Sequence, residues 1–322
     1  MNVLVTGGAG YIGSHMVRVL LGAGHRVVVV DDLSAGHADA LPAQVDFVHA
    51  DIRAKETMAG VLKTRAVEAI FHFASRIQVG ESVVHPRLYF RDNLGAAIEL
   101  LERALDAKVP YFVLSSTAAV YGAPLRTPID EDHPKEPINP YGEIKLAIEK
   151  MLAHYGRAYG LSYAALRYFN AAGAEPGLAE RHDPETHLIP LVLDAALGRR
   201  PHVTVFGQDY PTPDGTCVRD YVHVADLADA HLAALVYLSR GGASGAFNLG
   251  TGQGHSVRDV IDAARRVTGR EIPVVLGARR EGDPPFLVAS KERAKTVLGW
   301  EATRSSLDHI IEDAWRARQT TP

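Results

Sequence analysis

The sequence almost lacks cysteine. Cys217 is the one cysteine among 322 residues, which excludes an intrachain disulfide and any multi-cysteine zinc or iron–sulfur site. A single thiol is typical of proteins in a reducing compartment. Because no base stands near it in the sequence, we expect Cys217 to be a small packed residue.

The chain also lacks long apolar runs and dense blocks of basic residues. No stretch approaches the ~18 consecutive apolar residues of a membrane-spanning helix, and the residues after Met1 lead into a glycine-rich turn rather than the apolar core of a signal peptide. The formal net charge is −4, from 34 Lys and Arg against 38 Asp and Glu, which disfavours electrostatic capture of nucleic acid or an anionic membrane. We therefore expect a cytoplasmic protein with neither of these partners.

What the sequence does contain is typical of a globular protein with two domains. Its 47% hydrophobic and 22% charged residues argue against disorder, and its length suits about two domains of roughly 150 residues. Alternating β-branched and helix-like segments predict an α/β fold with a doubly wound parallel Rossmann sheet over 1–168. A smaller α/β substrate domain is expected over 169–322, and a strand such as Ala246–Leu249 is expected to return to the first sheet. Candidate strands are Val3–Thr6, Arg26–Asp31, Val45–His49, Ala69–Phe73, Tyr111–Ser115 and Ser162–Arg167.

A glycine-rich segment near Met1 predicts a dinucleotide site. Gly7, Gly10 and Gly13 follow the first candidate strand, and they allow a tight turn, close approach to a pyrophosphate and close helix packing. The next helix would offer its N-terminal amides and positive dipole to the phosphates. The second strand ends at Asp31, whose carboxylate can accept from both adenosine ribose hydroxyls and would repel a 2′-phosphate. These features favour NAD over NADP, and a ligand-free structural turn is the alternative.

A tyrosine and a lysine on one predicted helix are the catalytic candidates. Asn139 is expected to cap this helix, and Tyr141 and Lys145 lie four residues apart and so share a face. A tyrosine with a pKa near ~10 is a poor base at neutral pH, but a neighbouring ammonium and a positive nicotinamide ring favour its phenolate. Thr117, at the end of a candidate strand, would hydrogen-bond the reacting oxygen. The alternatives are a packed tyrosine beside a solvated lysine, and a threonine that satisfies the backbone.

Several longer motifs make the chain similar to a known family. They are TGGAGYIGSH at residues 6–15, the Tyr141/Lys145 pair, LRYFN at 166–170, VRDYVHVADLA at 218–228 and RREGDP at 279–284. Together they resemble the UDP-glucose 4-epimerases of the extended short-chain dehydrogenase/reductase family, and the similarity spans nearly the whole chain in order. The resemblance implies a Rossmann fold, a tightly held NAD and a UDP-sugar substrate.

The resemblance further implies which residues form the site. Tyr141, Lys145 and Thr117 would be catalytic. The residues that would contact NAD are Gly7, Gly10, Tyr11, Ile12, Gly13, Asp31, Asp51, Ile52, Phe73, Ala74, Lys145 and Phe169, with Asp51 and Ile52 beside the adenine. The residues that would bind the UDP-sugar are Thr117, Tyr141, Asn170, His187, Leu188, Val205, Phe206, Arg219, Arg280, Asp283 and Leu287. Within this set Asn170, Arg219 and Arg280 would hold the diphosphate, for which arginine supplies bidentate donors.

Two positions depart from the family pattern. Many relatives carry lysine where Ile77 stands, so one cofactor or substrate contact is lost or is made by Arg76 instead. Leu287 falls where family members gate the sugar. A tyrosine there is associated with narrow acceptance of N-acetylated sugars and a small residue with broad acceptance. Leucine is intermediate in size, so the range of sugars stays open.

The reaction implied is interconversion of UDP-glucose and UDP-galactose. Tyr141 would deprotonate the 4-hydroxyl while a hydride passes from sugar C4 to NAD, and the 4-keto sugar would rotate about its diphosphate linkage before the hydride returns. The alternatives are epimerisation of UDP-N-acetylglucosamine or a UDP-pentose, a nucleotide-sugar 4,6-dehydratase, and a catalytically silent NAD-sensing module. Ala118 and Ala119 stand where a dehydratase carries an Asp-Glu pair. The resemblance also implies a homodimer, for which the predicted helices Arg87–Ala107 and Tyr141–Tyr159 are candidates.

Fifteen histidines raise the question of a metal site, and we expect none. His223 and His231 lack i, i+4 spacing, and Asp226 between them is interpreted as a helix cap. His182 and His187 lie in a predicted loop without an obvious third ligand.

Overall fold

The computed structural model describes residues 1–280 and 283–320, and its centre is a parallel β-sheet. Within those residues the strands of this sheet are β1 (Asn2–Thr6), β2 (Arg26–Asp31), β3 (Asp46–His49), β4 (Ala69–His72), β5 (Tyr111–Thr117), β6 (Ser162–Tyr168) and β7 (Gly245–Leu249). Their spatial order is β7-β6-β5-β4-β1-β2-β3, and all neighbours run parallel. This confirms the expected Rossmann sheet and the strand that returns to it.

Helices cover both faces of the sheet. The α-helices of the described residues, which include those of the smaller unit, are α1 (Tyr11–Gly22), α2 (Lys55–Thr64), α3 (Val79–Val84), α4 (Pro86–Tyr89), α5 (Ala96–Asp106), α6 (Pro140–Tyr159), α7 (Leu188–Ala196), α8 (Val224–Ser239), α9 (Val257–Thr268) and α10 (Leu307–Thr320). Alternate residues of a strand face opposite sides, so Val3 and Val5 join a core with α1 and α8 while Leu4 joins one with α2, α5 and α6. Burial on both faces explains why the strands are apolar runs.

The predicted helix Arg87–Ala107 forms without a break, but its middle is π-helical rather than α-helical. The chain forms α4, then a π-helical stretch Phe90–Gly95, then α5. Asn93 lies in this stretch, where its buried side chain accepts from the Arg76 amide at 2.8 Å and donates to the Arg76 carbonyl at 2.9 Å. The wider π-helical turn lets the Asn93 side chain point inward and hydrogen-bond the backbone of the loop at Arg76. The spacing of apolar residues in the sequence does not reveal such a turn.

The second half of the chain builds a smaller unit and also contributes to the first. Helices α7, α9 and α10 pack with the strand Val203–Phe206 into a separate core, and the strand Val274–Gly277 pairs with that strand at its exposed edge. Further short strands pair Asn170–Ala172 with Tyr221–His223, and Val218–Arg219 with both His255–Ser256 and Phe286–Leu287. No helix among residues 1–280 and 283–320 is long and apolar enough to cross a bilayer.

The interpretation of Asp226 as a helix cap is wrong. His223 is the N-cap of α8, and its side chain accepts from the amide of Ala225. Asp226 is buried and accepts from the amide of Arg304 at 2.9 Å and from the hydroxyl of Ser305 at 2.6 Å. The Asp226 carboxylate, in the first turn of α8, therefore anchors the loop at residues 304–305. Sequence spacing around Asp226 cannot show this contact, because the loop is nearly eighty residues away.

Candidate active site

The glycine-rich loop links β1 to α1 at the carboxyl edge of the sheet. Gly7 has a φ of +71°, and a Cβ built there would lie 2.5 Å from the amide nitrogen of Ala74. A Cβ at Gly13 would lie 2.1 Å from the carbonyl oxygen of Gly7. Gly10 is the N-cap of α1 and brings no side chain to its first-turn amides. The loop therefore fits a pyrophosphate, which these amides and the helix dipole can hold.

Asp31 ends β2 beside this loop. Its carboxylate accepts from the amides of Ala9 at 2.9 Å and Leu33 at 2.8 Å. Burial raises the pKa of Asp31, and the two backbone hydrogen bonds act against that rise. Each carboxylate oxygen keeps a lone pair for a further donor, so the position agrees with the expected ribose contact.

The other residues expected to contact NAD lie around the same edge. Phe73 and Ala74 follow β4, and both amides donate to the Thr6 carbonyl at the end of β1. Tyr11 is partly buried, and its hydroxyl donates to the Gly173 carbonyl at 2.6 Å. Beyond β3, Ile52 is buried. Its neighbour Asp51 forms an ion pair of 2.5 Å with Arg53.

The catalytic candidates lie beyond the next strand of the sheet. Asn139 caps α6 by accepting from the amide of Gly142, as expected. Tyr141 and Lys145 are both buried on this helix, and the ammonium lies 5.8 Å from the centroid of the tyrosine ring. Lys145 donates to the carbonyl of Ser115 on β5 at 2.9 Å. The helix and the strand thus hold the pair at the carboxyl edge.

The hydroxyl of Thr117 has two partners in the structure, a backbone amide and the Tyr141 hydroxyl. It accepts from the amide of Ala119 at 3.1 Å, and a hydrogen bond between Thr117 and Tyr141 lowers the pKa of the tyrosine. Burial outweighs that bond and raises the pKa of Tyr141 to about 12. Burial also lowers the pKa of Lys145 to about 8, against the attraction of Glu149. A phenolate at this position therefore depends on positive charge delivered close to the ring.

A buried polar network stands behind the pair, and the sequence analysis missed it. Glu149 lies one helical turn beyond Lys145 and forms an ion pair of 2.5 Å with Arg167 on β6. The Ser116 hydroxyl donates to the same carboxylate at 2.5 Å, and Arg167 donates to the Tyr121 hydroxyl at 2.7 Å. The i, i+4 spacing of Lys145 and Glu149 was the available signal, since it places both on one helix face.

Residues expected to bind UDP meet where the short strands pair. Arg219 donates to the carboxylate of Asp283 at 3.0 Å, and it is the register partner of Leu287. The guanidinium carbon of Arg280 lies 4.1 Å from the centroid of the Phe206 ring, which is a cation–π distance. The motif at 279–284 falls partly on residues 281 and 282, which lie outside the described residues.

Val205 precedes Phe206 on the same strand and is buried. Phe169 and Leu287 pack against one small core that includes Ala118, directly after Thr117. Leu287 therefore packs against a core that includes residues directly following Thr117. Asn170 begins the strand paired with Tyr221–His223.

The two departures differ in their surroundings. Ile77 is 38% exposed. The Arg76 guanidinium donates to Asp92 at 2.8 Å. It would have to break this ion pair to replace the lysine of the relatives. We therefore expect the contact made by lysine in many relatives to be absent here.

The remaining substrate candidates lie at the start of α7. His187 is its N-cap residue and Leu188 its first residue. The view that His182 and His187 have no further ligand nearby is wrong, because Glu180 and Glu185 bring carboxylate oxygens to them. Burial lowers the pKa of His187, but hydrogen bonds to these carboxylates outweigh burial and raise it to about 10. The sequence places both acids within a few residues of the histidines, a signal that went unused.

The chain is similar to known proteins over nearly its whole length. Residues 3–250 match the NAD dependent epimerase/dehydratase family. The chain is 51% identical over 324 residues to a UDP-glucose 4-epimerase of Halalkalibacterium halodurans, covering 100% of this chain and 97% of that one. It also resembles the crystal structure of UDP-glucose 4-epimerase from Brucella ovis in complex with NAD, with 48% identity and a TM-score of 0.95. The match covers 98% of this chain and 97% of that one. The crystal structure of UDP-glucose 4-epimerase from Bifidobacterium longum in complex with NAD⁺ and UDP is also similar, with 35% identity and a TM-score of 0.94. That match covers 100% of this chain and 99% of the other.

Proposed function

The chain belongs to the NAD dependent epimerase/dehydratase family, and from that membership we propose that it interconverts UDP-glucose and UDP-galactose. The family and its structures with NAD confirm the expected cofactor, and the UDP-glucose 4-epimerase relatives indicate an isomerase. The observation that carries the proposal is the placement of Tyr141, Thr117 and Lys145 beyond β5, two strands from the glycine-rich loop of β1. Ligands of open α/β sheets bind at this carboxyl edge.

The chain's own residues would divide the chemistry between them. NAD, when bound, supplies a hydride acceptor and a positively charged ring. Tyr141 would take the proton of the sugar 4-hydroxyl, and Thr117 would orient the same oxygen. The Lys145 ammonium, held on the Ser115 carbonyl, would add positive charge near the ring. Since burial opposes the phenolate, both positive charges are needed before Tyr141 acts as a base at neutral pH.

Epimerisation also needs a firmly held nucleotide and a loosely held sugar. Arg219 and Arg280 would bind the diphosphate, and on binding Arg219 would exchange part of its contact with Asp283 for phosphate oxygens. Val205 and Phe206 would border the uracil, with Asn170, His187 and Leu188 beside the nucleotide. The gate, Leu287, is apolar and so offers the sugar no hydrogen bond. A 4-keto sugar could then rotate about its diphosphate linkage and present its other face.

We further propose the division of the chain by role. Residues 1–168 would bind NAD and 169–322 the UDP-sugar, with α8 and β7 completing the first sheet. A cytoplasmic homodimer is proposed through the helices at 87–107 and 141–159. Exposed apolar side chains on this part of the surface, Phe90 at 45% and Ile98 at 38%, support that interface.

The proposal is tested with purified protein, UDP-galactose and no added nucleotide. The wild type should form UDP-glucose, and Tyr141→Phe should lose at least about 100-fold in rate, the low end of general acid–base contributions, while its NAD content is unchanged. Tyr155→Phe is the matched control, because this tyrosine lies on the same helix with its hydroxyl on Glu102, near the surface.

Sugar labelled with deuterium at C4 distinguishes the alternatives. Retention of the label in the product supports transient oxidation with return of the same hydrogen. A 4-keto-6-deoxy product would indicate a dehydratase. Bound NAD without any turnover would indicate the sensing module. Loss of the label to solvent would contradict the mechanism.

A further inference from the structure

Four ligand-type side chains converge in the segment before α7. They are Glu180, His182, Glu185 and His187, here named the 180–187 cluster. Each offers one atom, and these four atoms all lie within 4.8 Å of one another. The reaction proposed above uses the nucleotide-facing position of His187 but gives no task to the other three.

The short distances inside the cluster suit a small cation. The Nδ1 atom of His187 lies 2.9 Å from Oε1 of Glu180 and 2.9 Å from Oε1 of Glu185. The Nδ1 atom of His182 lies 3.1 Å from Oε1 of Glu180. In a tetrahedral zinc site with bonds of 2.0–2.2 Å, neighbouring ligand atoms lie about 3.4 Å apart. These three pairs of atoms need to move apart by only a few tenths of an ångström to accept an ion, and the other three pairs lie within 4.8 Å.

One buried oxygen in the cluster has no partner. Oε1 of Glu185 accepts from the amides of Thr186 and His187, whereas its Oε2 is buried without a hydrogen bond in the described structure. The Glu185 side chain is only 8% exposed, and an unsatisfied buried carboxylate oxygen is costly. A cation shared by the carboxylate would remove that cost.

The net negative charge of the cluster also favours a divalent cation. Glu180 and Glu185 bring two negative charges to a buried place, which one imidazolium balances only in part. Arg318 donates to the Asp194 carboxylate at 2.6 and 2.8 Å and to the backbone carbonyl of Glu180 at 2.9 Å. A divalent cation with two neutral imidazoles would bring the cluster to zero net charge.

We propose that the 180–187 cluster is a binding site for a divalent transition-metal ion of the Zn²⁺ class. Two imidazoles and two carboxylates suit zinc better than magnesium or calcium, which prefer oxygen ligands alone. Four protein ligands leave no open position, so the ion would be structural. It would tie the 180–187 segment to the start of α7, next to Tyr11, whose ring centroid lies 6.2 Å from that of His182. His187, 39% exposed, marks the route by which an ion enters.

Metal binding to the NAD-loaded protein tests this site. After removal of metals with a chelator, titration with ZnCl2 in a calorimeter should give one Zn²⁺ per chain with a Kd below about 1 μM. Glu185→Gln and His182→Gln should each weaken binding by at least about 100-fold, since loss of an outer partner alone costs about 10–100-fold. Zinc should raise the Tm of the wild type and leave the Tm of both variants unchanged.

A second histidine cluster provides the control. His223, His309 and Asp313 also lie within reach of a common ion, and His309→Gln should leave the zinc titration of the whole protein unaltered. Absence of binding tighter than about 100 μM would overturn the proposal, as would full affinity in both 180–187 variants or loss of binding in His309→Gln. If Glu185→Gln does not fold, the variant His182→Gln, at a partly exposed position, decides the question.

Discussion

The close packing of the glycine-rich loop makes Gly13→Ala a sharp test of the cofactor site. A Cβ at this position would lie 2.1 Å from the Gly7 carbonyl oxygen and 2.9 Å from the Cα of Gly8. Ordinary contacts begin at 3.4 Å, so backbone atoms must move by more than 1 Å. The affected carbonyl also accepts from the amide of Gly10 at 3.2 Å, and the displacement would break that turn.

The expected loss follows from these contacts. Overpacking costs about 1–3 kcal/mol and a lost hydrogen bond about 1 kcal/mol, so Gly13→Ala should lose about 2–4 kcal/mol of stability. At about 2 °C per kcal/mol for a chain of this size, the Tm should fall by about 4–8 °C. Because the moved amides are those expected to face the pyrophosphate, NAD content should fall as well. Thermal unfolding and the NAD released on denaturation measure both effects.

Gly60→Ala is the matched control. Gly60 lies inside α2 and is exposed, and a Cβ there meets no heavy atom within 4 Å. Alanine should stabilise this helix by about 0.5–1 kcal/mol and leave the NAD content unchanged. The reasoning is refuted if Gly13→Ala keeps both the Tm and the NAD of the wild type, or if Gly60→Ala loses as much as Gly13→Ala.

Two further predictions concern pH and sugar size. Burial lowers the pKa of His15 and His231 to about 4 and that of His72 to about 3, so the unfolded chain binds more protons below pH ~6.5. Stability should therefore fall from pH 6.5 towards 4, with a slope approaching about 4 kcal/mol per pH unit. His231→Gln should reduce that slope by about a third in urea unfolding, and an unchanged slope would contradict this account. Leu287→Tyr should lower the rate with UDP-N-acetylglucosamine relative to UDP-galactose by about tenfold or more, because the larger ring occupies space beside the sugar. A constant ratio of the two rates would remove Leu287 from sugar selection.

The sequence by itself determined the features that depend on short spacing. Apolar β-branched runs separated by amphipathic segments specify buried parallel strands, and the strands from β1 to β6 lie within two residues of their predicted bounds. Gly7, Gly10 and Gly13 permit a tight turn at the start of α1, a local property that the spacing of the glycines shows. The i, i+4 spacing of Tyr141 and Lys145 places both on one helix face wherever that helix packs.

Only the tertiary structure decided which distant residues meet. The pairing of Arg219 with Asp283 and the stacking of Arg280 on Phe206 join segments more than sixty residues apart, and such contacts leave no local pattern. The same holds for Asp226, which anchors the 304–305 loop instead of capping α8. Burial is also a property of the folded chain, so the rise in the pKa of Tyr141 and the fall in that of Lys145 appear only once the helix has docked against β5. Residue spacing selects the chemical groups, and packing sets their charge and their partners.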